Sequence, residues 1–308
     1  MTWRRVLGGV GRVLVAAGVV LLLFVGYQLW GTGLATRAAQ GDLTAKFDTQ
    51  LEQVDDIPAN DPTRYEVAET TVANLAPGDP VGRLEIPAID VNYTVVEGVT
   101  LDVLETGPGR FPETAFPGQA GNAAIAGHRA TYDAPFNLLD ELVPGDEVRV
   151  TTLQGSFLYE VLPQPNPSGN PADPAIGHYL VAPTAVEILD DKGDDRLTLM
   201  GCHPRYGSSQ RIVVEARLIT EPAPTTPTPS GVRDPAPSDE LLSGEEGSWA
   251  PVIGWSAGVL AAAIAAWWLA HKRRWVWQLA IYVVATPVVG FLLFRSFEAI
   301  TALNPVAY

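Results

Sequence analysis

Short apolar runs separated by turn residues fill the middle of the chain, between about residues 80 and 220. Runs such as DEVRVTT (146–152) and RIVVEARLI (211–219) alternate apolar and polar residues, which is typical of half-buried strands. The predicted strands are 81–88, 91–97, 121–127, 146–152, 156–162, 185–189, 195–201 and 211–219. Eight short strands with few helices predict a mainly β domain that closes into an eight-stranded barrel. One short helix is expected before Gly107.

Much longer apolar runs lie near both ends of the chain. The segments 13–30, Trp249–Ala270 and 275–294 contain 18, 22 and 20 residues without a charge. A helix of about 20 apolar residues crosses the hydrocarbon core of a bilayer. We therefore expect one N-terminal and two C-terminal transmembrane helices. A cleaved signal peptide is the alternative for the first segment, although its apolar run is long for that purpose.

Two clusters of basic residues flank these apolar segments. Arg4, Arg5 and Arg12 precede the first segment, and HKRR (271–274) separates the second from the third. The positive-inside rule places both basic clusters in the cytoplasm. The chain is thus expected to be a multi-pass membrane protein with residues 31–248 on the extracytoplasmic side.

The middle of the chain is strongly acidic. Residues 31–248 hold 13 of the 20 basic and 34 of the 35 acidic residues. Nucleic-acid binding needs a basic surface to neutralise phosphates. A nucleic-acid partner is therefore not expected.

Composition also divides the chain into segments. Residues 31–79 are polar, acidic and poor in large apolar residues, and they are expected to form a stalk that is partly helical around Leu43–Val54. Residues 221–248 are rich in Pro, Ser, Thr and acid, a composition that cannot bury a core. The predicted organisation is a cytoplasmic tail and transmembrane helix (1–30), a stalk (31–79), a barrel domain (80–220), a linker (221–248), two transmembrane helices with a basic loop (249–294) and a C-terminal tail (295–308).

Cys202 is the only cysteine in 308 residues, so it cannot form a disulfide within the chain. A small buried apolar residue is one interpretation of such a cysteine. However, Cys202 ends the predicted strand RLTLMG and precedes the loop HPRYGSSQ. A strand end is a rigid base from which a loop-side residue can act in catalysis. A nucleophilic thiolate also needs a proton partner and a group that stabilises the developing oxyanion.

Three histidines of the middle segment are candidates for the proton partner. His203 neighbours Cys202 on a strand, and adjacent strand residues point to opposite faces. His178 lies in the less regular stretch PAIGHYLVAP. His128 ends the small apolar strand GNAAIAGH, so it could face Cys202 from another strand, and it is the predicted partner.

Arg211 begins the strand that follows the loop after Cys202. A guanidinium is permanently charged and can stabilise an oxyanion or bind a substrate backbone. Arg129 and Arg205 are weaker candidates for the same role. The four histidines of the chain are scattered without metal-ligand spacing, so neither a metal nor another cofactor is expected.

These residues together resemble the sortases of Gram-positive bacteria, which are membrane-anchored cysteine transpeptidases with a β-barrel. The resemblance covers about residues 80–220 and rests on TLMGC (198–202), Arg211 and the AIAGHR segment around His128. Gly201 departs from the family pattern, which has threonine before the cysteine. The segments GHRATYDAPF and CHPRY are most similar to class E of actinobacteria.

The resemblance implies an activity and partners. Cys202 would attack the Thr–Gly bond of a C-terminal sorting signal of the LAXTG or LPXTG type and form a thioester. His128 would act as general acid and then base, and Arg211 would bind the oxyanion or the signal. Surface proteins carrying the signal would then be joined to a cell-wall amine, with no cofactor.

Three alternatives remain open at this point. A pilin-polymerising class C sortase is suggested by the C-terminal membrane region and by Asp61–Pro62, although Thr63 occupies a position expected to be aromatic. A catalytically inactive sortase-like binding module is suggested by Gly201. An L,D-transpeptidase also has a Gly-Cys pair, but it needs a Ser/Thr-His-Gly-Cys run, and Leu199-Met200 stand before Gly201.

Overall fold

The structure is a computed structural model that describes residue 15 and residues 18–55, 57, 62–165, 174–226, 248–271 and 273–301. These residues fall into two compact units. One unit lies within residues 32–245. The other combines the described parts of residues 1–31 and 246–305.

The first unit contains the β-structure of the described chain. Its nine strands are β1 (Pro80–Ile86), β2 (Val91–Glu97), β3 (Gly109–Arg110), β4 (Asn122–Ala126), β5 (Glu147–Thr152), β6 (Gly155–Val161), β7 (Tyr179–Val181), β8 (Arg196–His203) and β9 (Gln210–Leu218). Eight of them pair in the order β6-β5-β1-β2-β3-β4-β8-β9, and β9 pairs with β6 to close the ring. The short β7 pairs with β9 outside this ring. The predicted eight-stranded barrel is therefore confirmed.

Individual strand predictions differ from the structure at three places. The strand predicted at 185–189 is wrong, because Val186–Ile188 forms a 3₁₀ helix. A short apolar run does not distinguish a strand from a buried helical turn. The sequence analysis also missed β3 and β7, whose two and three residues are too short to show alternation.

Alternate residues of the barrel wall enter two different apolar clusters. Inward-facing residues of all the longer strands form the main core, which includes Leu197, Leu199, Ile212 and Val214. Residues on the outer side of the same wall form a second cluster: Val99, Leu104, Phe111, Ala124, Ala126, Ile188, Met200, Cys202 and Val213. The wall at β4, β8 and β9 is therefore buried on both sides.

The helices of the first unit are α1 (Thr32–Asp55), α2 (Pro62–Ala73) and α3 (Leu101–Leu104), with 3₁₀ helices at Pro87–Ile89, Leu139–Glu141 and Val186–Ile188. The short helix expected before Gly107 is α3. Helix α1 lies in the segment predicted to be a stalk and binds the barrel through polar side chains. Gln40 donates from Nε2 to the carbonyl of Thr94 (2.9 Å) and accepts from the Thr94 amide (2.8 Å). Apolar side chains complete the contact: Phe47 and Val54 of α1 pack with Ala68 of α2 and with Leu153 in a separate buried cluster.

The first residues of the predicted linker also bind the barrel. The amide of Ala223 donates to the carbonyl of Gly118 (2.8 Å), and Gln154 Nε2 donates to the carbonyl of Pro224 (2.8 Å). The remaining linker residues, 227–247, lie outside the described residues.

The second unit contains two long apolar helices, α4 (Trp249–Ala270) and α5 (Trp275–Thr301). Apolar windows in them have mean hydropathies of 1.8 and 1.9, and both helices are long enough to cross a membrane. They agree with the two predicted C-terminal spans. Of the predicted N-terminal span, residues 18–26 are helical and a π-helical turn follows at Tyr27–Gly31. Its other residues lie partly outside the described chain, so this span stays a prediction.

Candidate active site

Cys202 lies directly opposite Arg211 in the antiparallel pair of β8 and β9. Residues that are directly opposite in such a pair project from the same face of the sheet. Cys202 packs with Met200 and Val213 in the outer cluster, so this face is the outer side of the barrel wall. The structure therefore places the predicted nucleophile and the predicted arginine side by side on that outer face.

His128 reaches the same face from the other side of β8. Strand β4 pairs with β8 in parallel, with Ala126 opposite Met200. The amide of Gly127 continues this ladder by donating to the carbonyl of Met200 (3.0 Å). Extending the register by one more residue brings His128 level with Cys202. Because side chains alternate along a strand, His128 shares the outer face with Ala126.

All three candidate groups are buried in this form of the protein. The exposed fractions are 2% for His128, 3% for Cys202 and 2% for Arg211. Burial penalises the charged imidazolium and lowers the pKa of His128 to about 3. Its Nε2 atom has no hydrogen-bond partner among the described residues. His128 is therefore neutral at physiological pH and does not spend this nitrogen on a structural bond.

An aromatic ring covers His128. The rings of Tyr132 and His128 lie 4.7 Å apart between centroids, with an interplanar angle of 40°. The Tyr132 hydroxyl donates to Glu105 Oε1 (2.8 Å), which fixes the ring. Tyr132 could not be predicted as a contact of His128, because its only sequence signal is its position four residues after His128.

The loop that carries this tyrosine has an unusual backbone. Tyr132, Asp133 and Ala134 all have positive φ angles, of 52°, 62° and 45°. Bulky residues rarely adopt this left-handed conformation, so contacts elsewhere must hold it. Asp133 accepts from Arg37 of α1 (2.5 Å) and from the hydroxyl of Tyr93 (3.0 Å). Helix α1 and strand β2 thus maintain the conformation that places Tyr132 on His128.

Backbone carbonyls hold the guanidinium of Arg211. Its Nη1 donates to the carbonyls of Ser208 (3.0 Å) and Gln210 (3.2 Å). Ser208 lies in the connection between β8 and β9, and Gln210 is the first residue of β9. Arg211 therefore keeps its cationic group beside Cys202 and not in the solvent.

The other basic candidates lie elsewhere. His203 pairs with Gln210 and follows Cys202 on β8, so it projects from the opposite face. Arg205 forms an ion pair with Asp140 (3.2 Å). Burial lowers the pKa of His178, and the negative charge of Asp140 raises it by a smaller amount. Arg129 also pairs with Asp140 (2.5 Å).

The described residues form no metal centre. Among the described residues, no group of three or more His, Cys, Asp or Glu side chains is arranged to hold a metal ion. The outer face carries a thiol on β8 and a guanidinium on β9, and an imidazole follows two residues after the end of β4. This is the set of groups that covalent acyl transfer requires.

The fold and this site define a β-barrel protein of the cysteine-nucleophile type, and comparisons with known proteins give its family. Residues 84–219 match the model of the sortase domain. Sortase D of Bacillus subtilis is 30% identical over 151 residues, which cover 48% of this chain and 72% of that protein. The chain belongs to the sortase family.

Two further relatives are sortases of class E. Sortase SrtE1 of Streptomyces coelicolor is 30% identical over 230 residues, which cover 69% of this chain but only 57% of that protein. Among solved structures, sortase E from Streptomyces avermitilis is 35% identical, with a TM-score of 0.38, and the match covers 46% of this chain and 90% of that one. The chain is thus similar to SrtE1 over part of the length of that protein, in line with the expected resemblance to class E.

Proposed function

We propose that this protein is a membrane-anchored cysteine transpeptidase in which Cys202, His128 and Arg211 are the catalytic residues. Cys202 attacks the carbonyl carbon of the Thr–Gly bond in a sorting signal and forms a thioester. Arg211 binds the oxyanion or the backbone of the signal. An amine then attacks the thioester and releases the joined protein.

Proton transfers in this scheme balance through His128. The neutral imidazole takes the proton of the Cys202 thiol, and the resulting imidazolium gives it to the glycine amine that leaves. In the second half, the attacking amine gives a proton to His128, and the departing sulfur of Cys202 takes it back. Burial keeps His128 neutral before the reaction, and the neutral imidazole is the form from which this order starts.

The single observation that carries the proposal is the strand register. Cys202 is directly opposite Arg211 on β9, and β4 pairs with the other side of β8 up to Ala126 opposite Met200, two residues before His128. Residues far apart in sequence are thereby aligned across one face of the wall. An ordinary structural role for each would not require this alignment.

The proposed substrates and acceptor follow from class E similarity. We propose a signal of the LAXTG or LPXTG type on surface proteins and an amine of the cell-wall precursor as acceptor. The two apolar helices and the basic residues between them support membrane anchoring with the barrel on the extracytoplasmic side. Both the substrate and the wall precursor would be available there.

Mass spectrometry of the full chain in detergent micelles tests the proposal. Peptides containing LAXTG and LPXTG sequences are added with or without a glycine or lysine amine. We expect cleavage between Thr and Gly, an acyl-enzyme mass on Cys202, and a transfer product when amine is present. Cleavage that persists in Cys202→Ala would refute the assignment of the nucleophile.

An inactive binding module gains no support from Gly201. This residue alternates with Cys202 on β8, so it lies on the opposite face of the wall, and a threonine there would not add a group beside the thiol. The acceptor arms of the same experiment address the pilin-polymerising alternative. Transfer only to lysine amines would favour that alternative over wall attachment. Asp61, which suggested it, lies outside the described residues.

A further inference from the structure

Gly201 leaves a space that the side chain of Arg129 occupies. A Cβ atom at position 201 would lie 2.8 Å from Cγ and 3.0 Å from Cδ of Arg129, and 3.3 Å from the carbonyl oxygen of Gly127. Real Cβ atoms essentially never approach another atom to within 3.0 Å. Because Cγ is close to the backbone, the stem of Arg129 cannot easily move aside. Any residue larger than glycine at position 201 would therefore displace Arg129.

The guanidinium at the end of this stem bonds the backbone of Cys202. Arg129 Nη1 donates to the Cys202 carbonyl (3.2 Å), and the side chain of Arg129 is 1% exposed. Arg129 also follows His128 directly in the chain. One buried side chain thus connects the residue after the proposed acid-base group to the backbone of the proposed nucleophile.

The same guanidinium fixes the segment that follows Tyr132. Nε donates to the carbonyl of Phe136 (3.2 Å), and Nη2 donates to the carbonyl of Asn137 (3.0 Å) and to Asp140 (2.5 Å). Burial lowers the pKa of Arg129 and the carboxylate of Asp140 opposes this effect, so the guanidinium stays charged. Charge-assisted bonds of this kind are stronger than neutral ones and hold their partners in a defined geometry.

We propose that Arg129 is a positioning residue that fixes the end of β8 at Cys202 against the segment of His128, and that Gly201 is the residue that makes room for it. This inference rests on the proposed function, in which those two residues exchange a proton. The family pattern has a threonine directly before the cysteine. In this chain Gly201 stands at that position, and the aliphatic stem of Arg129 occupies the space that a side chain there would need. Arg129 touches neither the substrate nor the reacting atoms in this scheme.

Kinetics of peptide cleavage by the full chain in micelles test the proposal. Arg129→Met keeps an aliphatic stem but removes every donor. We expect kcat to fall roughly 10²-fold, because a misplacement of about 1 Å in a catalytic group has this effect. KM should change little, since Arg129 lies behind the wall. Arg129→Lys should recover part of kcat, because an ammonium can still donate one bond to the Cys202 carbonyl.

Arg205→Met is the matched control. Arg205 shares the Asp140 carboxylate with Arg129, but its side chain is 33% exposed and bonds Asp140 from the surface. We expect near wild-type kcat for Arg205→Met. Equal kcat values for the Arg129→Met and Arg205→Met variants, or a loss carried mainly by KM, would overturn the proposal.

A second pair of variants tests the steric part of the proposal. Gly201→Ala should lower kcat because the new methyl group displaces the Arg129 stem. In the double variant Gly201→Ala with Arg129→Ala, kcat should be no lower than in Arg129→Ala alone, because the clash is gone. If the kcat losses of Gly201→Ala and Arg129→Ala instead multiply in the double variant, the proposal is contradicted. If circular dichroism shows that Arg129→Met does not fold, this pair and Arg129→Lys decide the question.

The outcome for Arg129 is distinguishable from failure of the proposed function. If the wild type cleaves no peptide, or if Cys202→Ala is as active as the wild type, the proposed function fails. Labelling of Cys202 by a methanethiosulfonate reagent needs no peptide and still reports on positioning. A faster rate in Arg129→Met but not in Arg205→Met would support the role of Arg129, and equal rates would refute it.

Discussion

The two faces of the barrel wall around Cys202 differ in how their polar groups are used. On the inner face, the guanidinium of Arg129 is bonded to three backbone carbonyls and one carboxylate. On the outer face, the His128 ring stacks on Tyr132 and its Nε2 has no hydrogen-bond partner among the described residues. Arg129 is thus committed to holding the strands together, whereas one nitrogen of His128 is not used in a structural bond.

This difference shows how one wall can be both rigid and reactive. A buried polar atom without a partner costs free energy, and proteins retain such atoms where function requires them. The bonded inner face restrains β8 and the segment after β4 so that the outer groups stay aligned. Substitutions on the outer face should therefore remove groups that take part in the reaction. Those on the inner face should lower the rate by shifting the positions of these groups.

The largest expected effect distinguishes two histidines on opposite faces. His128→Ala should lower the cleavage rate by about 10²–10⁴-fold, the range that general acid-base catalysis contributes. His203→Ala should be close to wild type, because His203 projects away from Cys202. Comparable losses in both variants, measured as kcat for peptide cleavage, would remove the functional distinction between the faces.

A second prediction concerns the cation of the outer face. Arg211→Lys should lower kcat by roughly 10²–10³-fold, because loss of one oxyanion donor costs this much and lysine lacks the planar fork. Arg205→Lys is the control, since Arg205 bonds Asp140 at the surface. Full activity of Arg211→Lys in the same assay would show that only charge is needed there.

A third prediction concerns the ring that covers His128. Removing it by Tyr132→Ala should speed methanethiosulfonate labelling of Cys202 by about 2- to 10-fold, because a stacked aromatic pair is worth about 0.5–1.5 kcal/mol. Tyr132→Phe keeps the ring and loses only the bond to Glu105, so its labelling rate should lie between those of the wild type and Tyr132→Ala. An unchanged rate for Tyr132→Ala would mean that other groups control access to the thiol.

A fourth prediction concerns stability against acid. The pKa of His128 is about 3 in the folded protein and about 6.5 in an unfolded chain, so the unfolded state binds one more proton between these values. This group should therefore lower the free energy of unfolding by roughly 1.4 kcal/mol for each pH unit as pH falls from about 6.5 toward 3. Above pH 6.5 it should contribute no slope.

Thermal unfolding of the full chain at several pH values measures this contribution. His128→Gln should unfold at a midpoint that depends less on pH than that of the wild type below pH 6.5. Burial also lowers the pKa of His178, so some slope should persist in the variant. Identical pH dependence in both proteins would contradict the buried neutral state of His128.

The sequence predicted the parts of this molecule that depend on local pattern. Alternation in long strands indicated the barrel, and TLMGC with Arg211 and His128 indicated the site. Alternation also placed His203 on the wrong face for catalysis, and the register of β8 agrees with this. The contacts of α1 could not be predicted in this way, because they join residues that are distant in sequence: Gln40 bonds the backbone of Thr94, and Phe47 packs in a cluster with Leu153.

The role of Gly201 shows the same limit more sharply. From sequence, this glycine is only a missing threonine, and it suggested an inactive protein. Its packing against Arg129 depends on the parallel register of β4 and β8, which no local pattern specifies. Likewise, the left-handed turn at Tyr132 is held by Arg37 and Tyr93, which are far away along the chain.

An experimental structure of the full chain with Cys202 acylated by a sorting-signal peptide is the most direct test of the central claim. The account predicts that the imidazole of His128 lies within about 2.6–3.2 Å of the leaving-group position, or one water away from it. It also predicts that the guanidinium of Arg211 donates to the thioester carbonyl or to the peptide backbone. If either group instead lies on the inner face or well over 10 Å from the thioester, the proposed catalytic site is contradicted.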